Sequence, residues 1–219
     1  MLENHCLSPM RHIDFSFYLI TDRHQTGGRP LLPLLDRALG AGVKAVQLRE
    51  KDLDTRSLLE LAKELLSLTR KHEGLLFIND RVDLVLALGA DGVHLRSDSM
   101  PVDAARRVLG SDRLIGVSTH SVKEVLQAES EGADFALLGP IYDTSSKRVY
   151  GDPIGLGPLE EASRCSRIPV FAIGGMSEER LPDVRRAGAR GVALISAILT
   201  AHDVESETGR LIKMLHASR

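Results

Sequence analysis

The chain contains no tryptophan, and aromatic residues make up only 4% of its 219 positions. Its core is therefore expected to rest on Leu, Ile, Val and Ala, the residues that fill the stacked layers of a closed parallel barrel. There are two cysteines, Cys6 and Cys165. The first sits in a polar leader and the second in a predicted helix, and with no C-x-x-C pair neither redox nor thiolate-metal chemistry is indicated. No apolar run approaches the roughly 18 residues needed to cross a bilayer. The first fourteen residues carry both charge signs and no apolar stretch of a secretory signal, so a soluble, cytoplasmic protein is expected. Lys and Arg number 28 against 30 Asp and Glu, a formal net charge of -2, which removes the basic excess that drives binding to polyanions. Neither nucleic acid nor a membrane is expected as a partner. The pattern leaves homo-oligomerisation open.

What is present is a repeat. Eight short apolar runs, at residues 17–22, 45–49, 75–80, 92–95, 114–118, 135–139, 170–174 and 192–196, alternate with longer segments whose apolar residues recur three and four apart. The runs are apolar throughout rather than alternating, as in parallel strands covered by helices. Residues 58–68, with Leu58, Leu61, Ala62, Leu65, Leu66 and Leu68, show the helical period. Four of the corners that lead back into strands share one chemistry: residues 41–45, 89–92, 131–134 and 187–191 combine Gly with Ala, and two of them with Asp. Gly there is suited to the left-handed cap of a helix. No G-x-G-x-x-G follows the first run, which argues against an open dinucleotide-binding sheet. The predicted fold is α/β, a single-domain (β/α)8 TIM barrel over residues 15–219, with a leader over 1–14. Residues 141–157, rich in Gly, Pro, Ser and Thr, are too long for a routine connection and suggest a functional lid.

In such a barrel the chemistry sits at the C-terminal ends of the strands. Those ends carry Thr21-Asp22, Gln47 to Lys51, Asn79-Asp80-Arg81, His94, Ser118-Thr119-His120, Gly139, Gly174-Gly175 and Ser196. Gln47, Arg49 and Lys51 alternate along an extended segment, so one face carries an amide and two cations. An anion is their natural partner, with ion pairs to Asp80 or Asp22 as the structural alternative. Gly174-Gly175 and Ser196, each at a strand-to-helix junction, form the expected phosphate cradle of the seventh and eighth strands. Asp80 could hold Mg²⁺ together with water and substrate phosphates, or pair with Arg49 or Lys51. His94 reads as a satisfied interior histidine. His120 is suited equally to acid/base work and to hydrogen-bonded support. Lys147, in the long loop, could cover a bound diphosphate or simply be an exposed loop lysine.

Taken together, Tyr18-Leu19-Ile20-Thr21-Asp22, Gln47-Leu48-Arg49-Glu50-Lys51, Ile78-Asn79-Asp80-Arg81, Ala90-Asp91-Gly92-Val93-His94-Leu95, Gly116-Val117-Ser118-Thr119-His120, Gly139-Pro140-Ile141-Tyr142 and Ala172-Ile173-Gly174-Gly175-Met176 resemble the thiamine-phosphate synthase family, in the same order over nearly the whole chain. The superfamily also contains thiazole tautomerases. The resemblance implies a Mg²⁺-dependent transferase that joins hydroxymethylpyrimidine diphosphate to a thiazole phosphate, by loss of diphosphate and capture of the pyrimidine cation. Carried over by position, it implies that Gln47, Arg49, Lys51 and Asn79 hold the pyrimidine diphosphate and that Asp80 binds Mg²⁺. It further implies that Lys147 contacts the diphosphate and that Ser118 lies near the reacting pyrimidine. The resemblance likewise implies that Thr144, Ser145, Ser146, Gly175, Ile195 and Ser196 hold the thiazole phosphate. Catalytic weight falls on Lys147, Arg49, Lys51, Ser118 and His120. The family's second magnesium ligand is an Asp where Ser99 stands here, with Asp98 one residue early; either Asp98 is re-aimed as a ligand or the metal site is incomplete. Isomerisation of a carboxythiazole phosphate, with His120 as proton shuttle, is the alternative activity. Non-catalytic binding of the same intermediates is a third.

Overall fold

The computed structural model describes residues 13–144 and 152–216. Eight parallel strands close into a barrel: β1 (Phe17–Ile20), β2 (Ala45–Leu48), β3 (Leu75–Asn79), β4 (Gly92–Leu95), β5 (Leu114–Thr119), β6 (Phe135–Leu138), β7 (Val170–Ile173) and β8 (Gly191–Leu194). The strands pair in sequence order. The ring closes where Phe17 of β1 lies opposite Val192 of β8. Around it run α1 (Leu31–Gly40), α2 (Thr55–Lys71), α3 (Val82–Leu88), α4 (Val102–Leu109), α5 (Val122–Ser130), α6 (Leu156–Cys165), α7 (Leu181–Arg186), α8 (Ser196–Leu199) and α9 (Val204–His216).

The helices begin and end for local reasons. Asp54 caps α2 by accepting from the Ser57 N–H at 3.0 Å, and Ser121 caps α5 by accepting from the Glu124 N–H at 3.2 Å. Gly89 ends α3 with φ 65°, a conformation that favours a residue without Cβ. The Asp of the repeated corner has a task that periodicity does not reveal. Asp91 accepts the Leu76 N–H at 2.8 Å and Asp134 the Ile115 N–H at 2.7 Å, so each holds the entry of the preceding strand. Asp134 also binds Arg106 of α4, which ties helix to barrel.

The core has two layers, and one departs from expectation. Between strands and helices the packing is aliphatic, with Leu35, Leu65, Val85, Ile115 and Ile198 fully or almost fully buried. Inside the barrel the space is filled by Phe15, Tyr18, Phe77, Phe135 and Phe171, whose rings meet at centroid distances of 5.2 to 6.0 Å. The scarce aromatics are thus concentrated where the sequence reading placed aliphatics. Inward positions of a ring of short strands must supply volume toward a central axis, and a few large rings fill it where neighbouring strands recede. Gly92 and Gly116 are those recessions. A Cβ on Gly116 would stand 2.3 Å from Cζ of Phe135. Phe15 comes from before β1, so the segment just after the predicted leader plugs the bottom of the barrel. Residues 1–12, including Cys6, lie outside the described residues, and Cys165 is an exposed free thiol.

Candidate active site at the barrel mouth

Above the aromatic layer the inward positions turn polar: Gln47 on β2, Asn79 on β3, His94 on β4 and Ser118 on β5. Gln47 is buried, and its Nε2 donates to Asn79 Oδ1 at 3.0 Å. Asn79 Nδ2 in turn donates to Asp80 Oδ2 at 3.1 Å. These donations leave Gln47 Oε1 buried with no partner among the described residues. A buried acceptor without a donor is costly unless a ligand supplies one.

Asp80 adopts φ 57°, a left-handed conformation that Asp tolerates better than most residues. The chain holds it there with hydrogen bonds: Oδ1 accepts the Arg96 N–H at 3.0 Å and Oδ2 accepts Arg96 Nε at 2.5 Å. Half-burial pushes its pKa up, but hydrogen bonds from the Ser99 hydroxyl and from the Arg96 amide and guanidinium outweigh this and leave it below the usual carboxylate value. The sequence reading offered Arg49 or Lys51 as the cation for Asp80. Arg96 takes that place. Its position two residues after His94 on the same strand face was the signal that could have found it.

Arg49 sits half-buried at the end of β2 with its N–H bonded to Thr21 Oγ1 at 2.9 Å. Its guanidinium makes no ion pair among the described residues. Asp22, the other acid considered for it, instead accepts from the His24 N–H and Gln25 Nε2. Glu50 points away, as the alternation predicts, and binds Arg23. Lys51 is exposed on the connection into α2. Arg49 therefore offers its charge to the mouth, close enough to disfavour protonation of His94.

His94 is buried, with its pKa lowered to about 3 chiefly by burial, an effect that Asp80 opposes and Arg49 reinforces. It is neutral at physiological pH. Its Nδ1 lies 3.4 Å from Tyr18 Oη and its Nε2 3.0 Å from Ser118 Oγ. The expected interior histidine thus also links the barrel core to a side chain in the cavity.

That cavity, about 760 Å³ counting its open mouth, is lined by Ser118, His120, Thr144, Gly175, Ile195 and Ser196 along with further residues of β5 to β8. A volume of this order suits a small phosphorylated ligand. Gly174 and Gly175 take φ 98° and 63°, and a Cβ on Gly175 would stand 2.6 Å from the Asp143 carbonyl, so only glycine fits this close approach. Arg180 fixes the loop from outside, donating to the Gly175 carbonyl with its guanidinium carbon 4.5 Å from the centre of the Tyr142 ring. His120 Nδ1 faces the Gly139 carbonyl at 2.7 Å; a carbonyl only accepts, so Nδ1 carries the proton and the other ring nitrogen is left to act as acceptor when the ring is neutral.

The sequence-predicted residues thus form two adjoining groups. Gln47, Arg49, Asn79 and Asp80 gather at β2 and β3. Ser118, His120, Thr144, Gly175, Ile195 and Ser196 share the cavity at β5 to β8, and His94 joins the two groups through Ser118. Asp98 is exposed and lies beyond Arg96, whose Nε is 3.5 Å from it and 2.5 Å from Asp80. A guanidinium therefore stands between the two carboxylates. Among the described residues no three His, Cys, Asp or Glu side chains group as metal ligands. The donor set suits a cation held by one carboxylate and completed by water and a phosphorylated ligand, not an all-protein cage. Ser145, Ser146 and Lys147 lie outside the described residues, as does the middle of the expected lid; its ends meet where the Ile154 and Gly155 amides donate to the Pro140 and Ile141 carbonyls.

The family profile described as thiamine monophosphate synthase matches residues 17–198. The chain belongs to this family. A thiamine-phosphate synthase of Clostridium novyi is 41% identical over 91% of this chain and 98% of its own length. A protein of Geobacter sulfurreducens is 52% identical over 94% and 97%, and its name gives the same activity provisionally. The solved thiamine phosphate pyrophosphorylase of Pyrococcus furiosus superposes with a TM-score of 0.84 at 37% identity, over 92% of this chain and 96% of that one. Family membership agrees with the barrel, with the order of the polar strand ends, and with the described helices, none of which is long and apolar enough to cross a membrane.

Proposed function

We propose that this protein is a thiamine-phosphate synthase, a transferase that joins hydroxymethylpyrimidine diphosphate to a thiazole phosphate and releases diphosphate. The observation that carries the reading is the division of the mouth into a cationic, hydrogen-bonded group at β2 and β3 and a glycine-lined cavity at β5 to β8. The bond from the pyrimidine methylene carbon to diphosphate oxygen breaks, and the thiazole nitrogen lone pair forms the new bond to that carbon. Negative charge grows on the departing diphosphate, and preorganised cations that meet it there lower the barrier. Arg49 is the described cation placed for this, with Lys51 and Lys147 brought up from their loops. Gln47 and Asn79 orient the pyrimidine half, Gln47 Oε1 accepting from a donor on it. Ser118 lies beside the reacting carbon. Gly175, Ile195 and Ser196, with Thr144, Ser145 and Ser146, hold the thiazole phosphate through backbone N–H groups and hydroxyls.

Asp80 would hold Mg²⁺ through one carboxylate oxygen; bound there, the ion would supply positive charge to the diphosphate. Asp98 would take part only after Arg96 moves from between the two. The weak basicity of the buried His94 fits a reaction that needs charge stabilisation more than a base, and the free ring nitrogen of His120 is left to accept a hydrogen bond. Charged phosphorylated substrates do not leave a cell readily, so the reaction is placed in the cytoplasm.

The test is direct. Purified protein supplied with both phosphorylated halves and Mg²⁺ is expected to release diphosphate and form thiamine phosphate in equal amounts. Isomerisation of carboxythiazole phosphate without any pyrimidine partner would instead assign it to the tautomerases.

A further inference from the structure

We propose that Tyr18 is a positioning residue that sets the direction of a hydrogen-bond relay, Tyr18 to His94 to Ser118, so that the Ser118 hydroxyl proton is aimed into the cavity at an acceptor on the pyrimidine diphosphate. The inference rests on the synthase reading for the identity of that ligand, and on geometry for the direction. Tyr18 is fully buried, and its ring is surrounded by Phe15, Phe77 and Phe135. Among the described residues His94 Nδ1 is the only hydrogen-bond partner of its hydroxyl. Were Nδ1 to carry the proton, it would donate to Tyr18 and strand the tyrosine proton among aromatic rings, the most unfavourable place for an unpaired donor. Tyr18 therefore donates and Nδ1 accepts. A neutral imidazole has a single N–H, which then lies on Nε2 and points at Ser118 Oγ. Ser118 must accept from His94, and its own proton has no other partner among the described residues. It lines the cavity, and that is where the proton turns. His94 is buried against the rings of Tyr18 and Phe135, surroundings that favour an uncharged imidazole.

The experiment reads the tautomer and the binding separately. In ¹⁵N-histidine NMR of the wild-type protein, His94 is expected as the neutral form protonated on Nε2; a His94 protonated on Nδ1 overturns the relay whether or not any variant folds. Tyr18→Phe, which keeps the ring packing, is expected to shift His94 toward the Nδ1 form. It should raise KM for the pyrimidine diphosphate about tenfold, with kcat changed less than threefold. Ser118→Ala is expected to raise KM similarly, and Tyr18→Phe/Ser118→Ala to be no worse than Ser118→Ala alone, because both break one relay. Additive losses, or an unchanged tautomer in Tyr18→Phe, would contradict the proposal. Absence of thiamine phosphate from the wild-type reaction would overturn the synthase reading while leaving the tautomer result to stand or fall by itself.

Discussion

Asp80 shows how far a single residue's surroundings decide its chemistry. Its left-handed backbone was not legible in the sequence, and its pairing with Arg96 was passed over for Arg49 and Lys51 at the end of the neighbouring strand; the register of β3 against β4 brings Arg96 to it. Because the folded-state pKa lies below the ordinary value, the Asp80–Arg96 pair contributes stability above the unfolded pKa near 4, and that contribution is lost as pH falls through the lower folded value. Asp80→Asn is therefore expected to cost about 1–2 kcal/mol at pH 7, allowing for the partial exposure of Arg96. The difference from wild type should shrink below pH ~4, as urea midpoints measured from pH 7 down to 2 would show. An equal difference at both ends would deny the pair its role. Arg49 behaves differently, since among the described residues it has no ion pair to lose. Arg49→Ala should leave thermal stability unchanged while lowering kcat on the order of 10²–10³-fold, the usual cost of removing one preorganised charge-stabilising group. Steady-state rates alongside a melting curve separate the two effects.

At the scale of elements, the strands and the repeated Gly-Ala-Asp corners were legible because each repeats one physical requirement: an apolar run covered on both faces, and a left-handed cap leading into a strand. The aromatic interior was not legible. Alternation inside a barrel does not mark which inward position lies at which height, so Phe77, Phe135 and Phe171 looked like any other apolar strand residue. The glycines opposite them carry the missing information. Gly116→Ala is expected to destabilise the fold by about 1–3 kcal/mol, because its Cβ would meet Phe135 at 2.3 Å and His94 Nδ1 at 2.7 Å. Phe135→Leu in the same chain should recover part of that loss, and urea unfolding of the single and double variants measures it. A Gly116→Ala protein as stable as wild type would mean that the ring and the glycine do not share that space.

For the whole molecule, eight strand tips that lie far apart in sequence converge on one mouth. That convergence was legible in the sequence, because in a parallel barrel polar residues at the strand C-termini can only meet at one end. The division of the mouth into two groups was not, since it depends on which neighbouring side chains bond: Gln47 to Asn79, Asn79 to Asp80, and His94 to Ser118. In the proposed function, the residues brought together hold a leaving diphosphate beside a second phosphorylated substrate. The most direct measurement is a structure of the protein with thiamine phosphate and diphosphate bound. The diphosphate is expected against Arg49 and Asp80 at β2 and β3, and the phosphate of thiamine phosphate against Gly175 and Ser196. Finding both at the glycine cradle, or the diphosphate away from Arg49 altogether, would contradict the assignment.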